Sequence, residues 1–204
     1  GVITALFGIV LFFASPILGE LSDIYGRKRL LTLGVGVLAI SQLLFGLGIE
    51  ISSLALLFVS RAVAGLAGAN ISIAQASIAD VSEPHERSRN FGLIGAAFGI
   101  GFILGPVLGG WIAAAAHSAA APFWFAGILG IINALLVIFF LPETRKTSVA
   151  ERKHFHLLRG IDNIRAAFRD KDARPVYLAN FLYISGFSFF TSFIGILLVS
   201  RFGQ

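Results

Sequence analysis

The stretch GELSDIYGRKRL at residues 19–30 combines charges and glycines in a way that suits ion pairing. Gly19 and Gly26 permit a tight turn against a neighbouring helix, because glycine adopts backbone angles that other residues avoid. Asp23 can pair with a cation or with the N-terminus of a helix. Arg27, the first of three consecutive cations, offers a planar fork of donors to a second carboxylate. The stretch therefore predicts a turn held by electrostatic contacts.

A single arginine, Arg61, lies inside a long apolar run and is followed by Gly65, Gly68 and Ala69. If the run crosses a membrane, a guanidinium group costs at least ~2.5 kcal/mol to place among lipid tails. It should then face protein or a water-filled cavity, while the small residues allow close helix packing. The alternative is an arginine whose side chain extends outward to the membrane surface.

A third stretch, GLIGAAFGIGFILGPVLGG at residues 92–110, repeats glycine at helical spacing. Its overlapping small-x-x-x-small pairs indicate a face on which another helix packs closely. Pro106 removes one backbone donor and permits a kink. Generic glycine-mediated packing remains the alternative to a specific role for this face.

Residues suited to bond chemistry or metal binding are scarce in this sequence. The chain has no cysteine and four scattered histidines, which excludes thiolate catalysis and offers no metal-ligand spacing. No nucleophile, base and acid set and no phosphate-binding loop is present. We therefore expect no catalytic residue, no metal site, no cofactor and no enzymatic activity. The net charge of +5 does not indicate nucleic acid, because the basic residues lie between apolar runs.

The elements that carry these residues are long and apolar. The chain is 56% apolar and 13% charged, with a mean hydropathy of +0.86. In soluble domains, roughly a quarter of all residues are charged. Six runs are long enough to cross ~30 Å of hydrocarbon as helices. They are residues 1–19, 30–49, 54–79, 91–115, 122–141 and 176–199. The composition predicts an all-α fold, a polytopic bundle of transmembrane helices.

The basic residues orient these spans, because short loops rich in Lys and Arg stay in the cytoplasm. Fourteen of the sixteen fall in alternate connections, namely 27–29, 87–89 and 142–175. The connections around Glu50 and His117 contain none. Runs one, three and five should therefore enter the cytoplasm. This orientation places Gly1 outside, and an additional preceding span would explain that placement.

The connection at 142–175 contains a periodic apolar pattern with interspersed cations. Its apolar members are Phe155, Leu157, Leu158, Ile161, Ile164 and Phe168. The pattern indicates an amphipathic helix at the membrane surface, with a partly ordered linker as the alternative. The last run mixes phenylalanines with polar residues such as Asn180 and Tyr183. Those residues suit a cavity wall, although the hydroxyl groups can equally bond their own helix backbone.

The first of these stretches resembles the major facilitator superfamily. The loop between helices 2 and 3 of that family has the form G-x-x-x-D-x-x-G-R-R/K. The matching residues are Gly19, Asp23, Gly26, Arg27 and Lys28. The resemblance implies that Asp80 meets Arg27 and Asp23 in a cytoplasmic charge cluster. With Arg29, these residues form the expected gating motif.

Two further stretches are similar to motifs of the drug-exporting branch of the same superfamily. Arg61 and Gly65 match the R-x-x-x-G pattern of its fourth helix, with Ala64 at a commonly polar position. The G-P-x-x-G-G antiporter motif of helix 5 is matched within 105–110, and PET at 142–144 is also found in the superfamily. The expected antiporter motif comprises Gly101, Gly105, Pro106, Gly109 and Gly110. The expected proton or substrate pathway comprises Arg61, Gly65, Asn70, Gln75 and Tyr183.

The resemblance implies a partial major facilitator fold, with six spans of an expected twelve. Residues 1–141 would form the N-terminal half without its first helix, 142–175 a cytoplasmic central loop, and 176–204 the first helix of the second half. The expected function is export of a small molecule or drug by alternating access in exchange for protons, in a cell inner membrane. No Asp or Glu lies inside the six runs, so proton coupling rests on the resemblance.

The expected partners are the lipid bilayer, a small-molecule substrate, protons and the remaining helices of the same polypeptide, with no nucleic acid. Two alternatives remain open. One is an uptake symporter of the same superfamily, which would share the loop at 19–28. The other is a membrane scaffold without transport activity, which would need neither that loop nor Arg61.

Overall fold

The computed structural model describes residues 2–145, 169 and 173–202. These residues form helices and no strands, which confirms the all-α prediction. The helices are α1 (Val2–Tyr25), α2 (Arg27–Glu50), α3 (Leu54–Ala67), α4 (Asn70–Val81), α5 (Arg87–Ala115), α6 (Ala121–Phe140) and α7 (Ala173–Phe202). The amphipathic helix predicted between Phe155 and Phe168 lies outside the described residues.

The described helices fall into two compact units, one with α1 to α6 and one with α7. Within the first unit, α2 is the central element, because it packs against α3 and most extensively against α6. Helix α1 packs against α3. Helix α5 has few neighbours among the described helices, and none of its residues is buried there.

Five stretches of the described chain are long and apolar enough to cross a membrane. They are α1, α2, Leu54–Val81, α5 and α6, and they correspond to the first five predicted runs. The sixth predicted run, 176–199, lies within the 30-residue helix α7, which is not among those five.

The third predicted run, 54–79, corresponds to the single stretch Leu54–Val81 that can cross a membrane, and within it a short turn separates α3 from α4. Helix α3 ends at Ala67, where the Gly68 N–H donates to the Gly65 carbonyl at 3.2 Å, and α4 begins at Asn70. Hydropathy does not distinguish a continuous helix from an interrupted one, because it reports only the length and polarity of a span. The two glycines weaken the helix here, and α1 packs closely against them.

Small residues bring α2 and α6 together. A side chain at Gly130 would place its Cβ 2.7 Å from the Cβ of Ala39, and one at Gly127 would overlap Leu43. Glycine therefore allows the two backbones to approach as membrane helices do. At one end of this seam, the ring of Trp124 packs on Gly46.

In the described residues, small side chains lie inside the protein and many large apolar ones lie on its surface, the reverse of the distribution in a soluble protein. The buried side chains are mostly alanines and serines, whereas Phe12, Phe13, Phe139 and Phe140 are exposed. Such a surface is stable in lipid and would associate in water. The chain is therefore a multi-pass membrane protein.

Candidate functional site

The site with the most polar contacts surrounds Arg27, at the turn between α1 and α2. Helix α1 ends at Tyr25 and α2 begins at Arg27, with only Gly26 between them. Gly26 has φ +100°, a left-handed conformation that L side chains rarely adopt. This sharp turn directs the Arg27 side chain back along α1 and toward the end of α4.

The guanidinium group of Arg27 binds three neighbours. Its Nη2 lies 2.7 Å from Asp23 Oδ1, and its Nε lies 3.2 Å from Asp80 Oδ2. Its Nη1 donates to Ser22 Oγ at 2.7 Å, and that hydroxyl donates to the Gly19 carbonyl at 2.7 Å. These four residues (Ser22, Asp23, Arg27 and Asp80) are called the Arg27 cluster below. The structure thus brings together the arginine and both carboxylates of the expected gating motif.

Burial makes the Arg27 cluster energetically important. The Arg27 side chain is 10% exposed, while Asp23 and Asp80 are 46% and 32% exposed. A buried guanidinium without a partner is strongly destabilising, so the two carboxylates compensate a charge that would otherwise be isolated. Because both acids remain partly solvated, each pair contributes less than a fully buried ion pair would.

Two residues that follow the C-terminal end of α6, Glu143 and Arg145, also contact this site. Glu143 Oε1 accepts from the backbone N–H of Arg27 at 2.9 Å, and its Oε2 accepts from the N–H of Lys28 at 3.3 Å. The Arg145 guanidinium lies 2.9 Å from Asp23 Oδ1. Sequence reasoning assigned no role to either residue, although the PET motif at 142–144 was a signal for Glu143.

The remaining residues of the expected gating motif lie around this turn. Lys28 is the second residue of α2, and Arg29, the third, is exposed. A Cβ added at Gly26 would overlap the Glu143 carboxylate. At Gly19, by contrast, the described residues leave space for a side chain, since nothing lies within 4 Å of an added Cβ. The structure therefore gives a steric reason for glycine at 26 but none at 19.

Arg61 lies among aromatic side chains of α2 and α6. Its guanidinium carbon is 3.9 Å from the ring centroid of Phe45 and 5.9 Å from that of Phe123. The two rings lie 4.5 Å apart. Cations are attracted to the faces of aromatic rings, so these contacts offset part of the desolvation of Arg61. Gly65, one turn later, packs against Phe7 and Val10 of α1.

The other predicted pathway residues are distributed over α4 and α7. Asn70 begins α4, and its amide packs against Gly34 of α2. Its Nδ2 is buried without a hydrogen-bond partner. Asn70 lines a cavity of about 310 Å³ that Asn133 also lines. Gln75 is exposed on α4, and Tyr183 is 72% exposed on α7 in the other unit.

The expected antiporter motif lies on one continuous helix, because α5 extends through Pro106. Among the described residues, nothing lies within 4 Å of a Cβ added at its glycines. Those glycines are Gly101, Gly105, Gly109 and Gly110. Gly101 also lines a hollow of about 580 Å³ with Phe98 and Phe102. The face is free for packing in the described part of the chain.

Several known proteins with sequences similar to this chain are named as drug resistance proteins. The chain is 37% identical over 153 residues to the class C tetracycline resistance protein of Escherichia coli, covering 72% of this chain and 36% of the relative. It is 34% identical over 187 residues to multidrug resistance protein 2 of Bacillus subtilis, covering 90% and 44%. It is 33% identical over 151 residues to quinolone resistance protein NorA of Staphylococcus aureus, covering 74% and 38%.

A solved structure and a family model extend this likeness to the full chain. The human organic anion transporter MFSD10 (TETRAN) superposes with a TM-score of 0.75 at 28% identity, covering 99% of this chain and 50% of that structure. The chain thus spans about half or less of the relatives it matches. The family model named Major Facilitator Superfamily matches residues 1–204. The chain belongs to the major facilitator superfamily.

Proposed function

We propose that this chain is part of a transporter that exports a small molecule by alternating access in exchange for protons. The observation that carries the proposal is the Arg27 cluster, in which one buried cation links α1, α2 and α4 through two carboxylates. The names of several relatives refer to tetracycline, multidrug and quinolone resistance, which supports export of a drug-like substrate. An uptake symporter of the same family is the second candidate, since it would share the turn around Arg27.

In this proposal, the Arg27 cluster is the cytoplasmic gate. While the guanidinium contacts both Asp23 and Asp80, the end of α4 stays beside the α1–α2 turn. Alternating access requires two arrangements of the helices, and a cluster of ion pairs stabilises one of them. Removing one partner of a buried pair costs about 3–5 kcal/mol, less where the acid is solvated, so the contacts are strong enough to bias an equilibrium yet weak enough to break.

The membrane orientation is part of the proposal. The Arg27 cluster belongs to a connection rich in basic residues, and such short connections remain in the cytoplasm. We also propose a location in the cell inner membrane, on the likeness to bacterial relatives. Proton coupling rests on the resemblance of the motifs to the drug-exporting branch of the superfamily, because no Asp or Glu lies inside the six apolar runs.

The transport proposal is tested with the full-length protein in sealed proteoliposomes. Tetracycline and a quinolone are applied as substrates, and proton movement is followed with an internal pH indicator. Exchange moves protons opposite to the substrate, whereas symport moves them in the same direction. Absence of any substrate-dependent signal with a panel of drugs would reject both transport modes.

The gate is tested by exchanging charges. We expect the single variants Arg27→Asp and Asp80→Arg to abolish transport, because each juxtaposes like charges. The double variant should restore part of the activity, limited by the new repulsion between position 27 and Asp23. Glu83→Lys is the matched control, since Glu83 is exposed on the neighbouring loop and contacts His85 instead. A double variant as inactive as the single variants would reject the pairing.

A further inference from the structure

The N-terminus of α2 has no cap of its own. The first amides of a helix lack partners within the helix and normally bind a side chain just before it. Here the preceding residue is Gly26, which has no side chain, and no side-chain cap forms at this position. The amides of Arg27 and Lys28 are bound instead by Glu143, which follows α6 and lies 116 residues after Arg27.

The Glu143 carboxylate is well matched to this position. Its two oxygens accept from successive amides at 2.9 Å and 3.3 Å, and Oε1 also accepts from the N–H of Arg145 at 3.1 Å. A negative charge at a helix N-terminus is further stabilised by the helix dipole. Gly26 is needed for the same contact, because a Cβ there would overlap the carboxylate.

Arg145 makes a second link between the same segments. Its guanidinium binds Asp23 at 2.9 Å, and Asp23 Oδ1 also binds Arg27 at 2.7 Å. The segment after α6 therefore contacts both helices at the α1–α2 turn: Glu143 binds α2, and Arg145 binds α1. These contacts hold Arg27, the residue that binds both carboxylates of the Arg27 cluster, in place.

We infer that Glu143, assisted by Arg145, is a positioning residue of the cytoplasmic gate: it caps α2 and holds the α1–α2 turn so that Arg27 reaches Asp80. This inference rests on the proposed function only in calling the Arg27 cluster a gate. It adds a fourth helix, α6, to the three that the cluster joins. In the described part of the chain, the bonds from Glu143 to α2 are to backbone amides, so we expect Glu143 to act through Arg27 rather than by contact with substrate.

Ser22 offers a direct measurement of whether the cluster is closed. It is fully buried, at 0% exposure, beneath the Arg27 guanidinium, and the sequence contains no cysteine. A Ser22→Cys reporter in a cysteine-free full-length protein is reached by a maleimide only when the cluster opens. Labelling is followed in permeabilised membranes, so the result depends neither on membrane orientation nor on transport.

We expect Glu143→Ala to increase the labelling rate of the reporter by roughly tenfold, since two amide donors lose a charged acceptor. Glu143→Gln should give a smaller increase, because its amide oxygen still accepts one hydrogen bond. Glu83→Ala, which removes an exposed carboxylate outside the cluster, should label like the parent. If Glu143→Ala does not reach the membrane, Glu143→Gln decides. Labelling of the tested Glu143 variant at the rate of Glu83→Ala overturns the inference.

A transport measurement separates this inference from the proposed function. At equal amounts in the membrane, Glu143→Ala should lower the turnover number while leaving KM nearly unchanged. A residue that only stabilises the fold would instead lower the amount of protein and leave the turnover per molecule unaltered, and that result contradicts a positioning role. Faster labelling in a protein that transports nothing would reject the proposed function and retain the role of Glu143 in closing the cluster.

Discussion

At the scale of single residues, Gly26 shows how a sequence motif follows from local geometry. Its φ of +100° and the overlap of an added Cβ with Glu143 are two separate reasons for glycine. The sequence predicted a tight turn at Gly26 from glycine alone. It did not predict the second reason, because Glu143 reaches α2 only once α6 has packed against it.

We expect Gly26→Ala to destabilise the protein by about 1–2 kcal/mol from backbone strain alone, with a further loss if Glu143 is displaced. Gly8→Ala is the control, since nothing among the described residues lies within 4 Å of an added Cβ there. Thermal unfolding of the purified full-length protein in detergent measures the difference. Equal unfolding temperatures for the two variants would contradict the geometry of the turn.

Arg61 is the second residue whose surroundings the sequence left open. The expectation was a cation facing protein or water, with a surface-directed arginine as the alternative. The structure places its guanidinium over Phe45, with Phe123 nearby. Neither aromatic partner was predicted, because no motif or spacing links α2, α3 and α6. A role of Arg61 in proton or substrate movement remains a proposal.

A double-mutant cycle measures the contact between Arg61 and Phe45. We expect a coupling free energy of about 0.5–2 kcal/mol between Arg61→Gln and Phe45→Leu, the range found for cation–π pairs of intermediate burial. Arg61→Lys should retain part of it, because the charge remains while the planar group is lost. The measurement is the free energy of unfolding of the six proteins that make up the two cycles, and strictly additive effects would show that the stacked geometry contributes nothing.

At the scale of elements, hydropathy located the spans well and their internal structure poorly. Five predicted runs correspond to helices able to cross a membrane, since length and apolarity are properties of the local sequence. The interruption between α3 and α4 was missed. Gly65 and Gly68 pack against α1 at this point, and such tertiary contacts leave no signal in a hydropathy profile.

The interrupted helix has a close contact with α2 that can be tested. A Cβ at Gly34 would overlap the Asn70 amide at the start of α4, whereas nothing among the described residues lies within 4 Å of one at Gly36. We expect Gly34→Ala to displace the Asn70 side chain from α2 and destabilise the protein by about 1–3 kcal/mol, the cost typical of overpacking. Gly36→Ala should be neutral or slightly stabilising, because alanine favours helix.

The two variants differ by two positions on the same helix and by nothing else, so their comparison isolates the contact with Asn70. Their unfolding temperatures in detergent provide the measurement. If Gly34→Ala were as stable as Gly36→Ala, the packing of Asn70 on α2 would be wrong. If shortening the side chain in Gly34→Ala/Asn70→Ala restored stability, the overlap itself would be identified as the cause.

At the scale of the whole molecule, membrane orientation connects every part of the proposed mechanism. The Arg27 cluster can act as a cytoplasmic gate only if the α1–α2 turn faces the cytoplasm. Glu143, which follows α6, contacts that turn, so the C-terminal end of α6 lies on the same side. Because α6 crosses the membrane once, the turn between α5 and α6 must face the opposite side. Single cysteines at Arg29 and Ala119, both exposed, report on these two turns.

In intact cells, we expect a membrane-impermeant maleimide to label Ala119→Cys and not Arg29→Cys, and in everted vesicles the reverse. The physical reason is the cost of moving a loop with three consecutive cations across the bilayer, which exceeds that of moving the uncharged turn around Ala119. The sequence contains no cysteine, so each label has one site within these 204 residues. Labelling of both positions from one side would be incompatible with α6 crossing the membrane, and the gate at Arg27 would lose its place in the transport cycle.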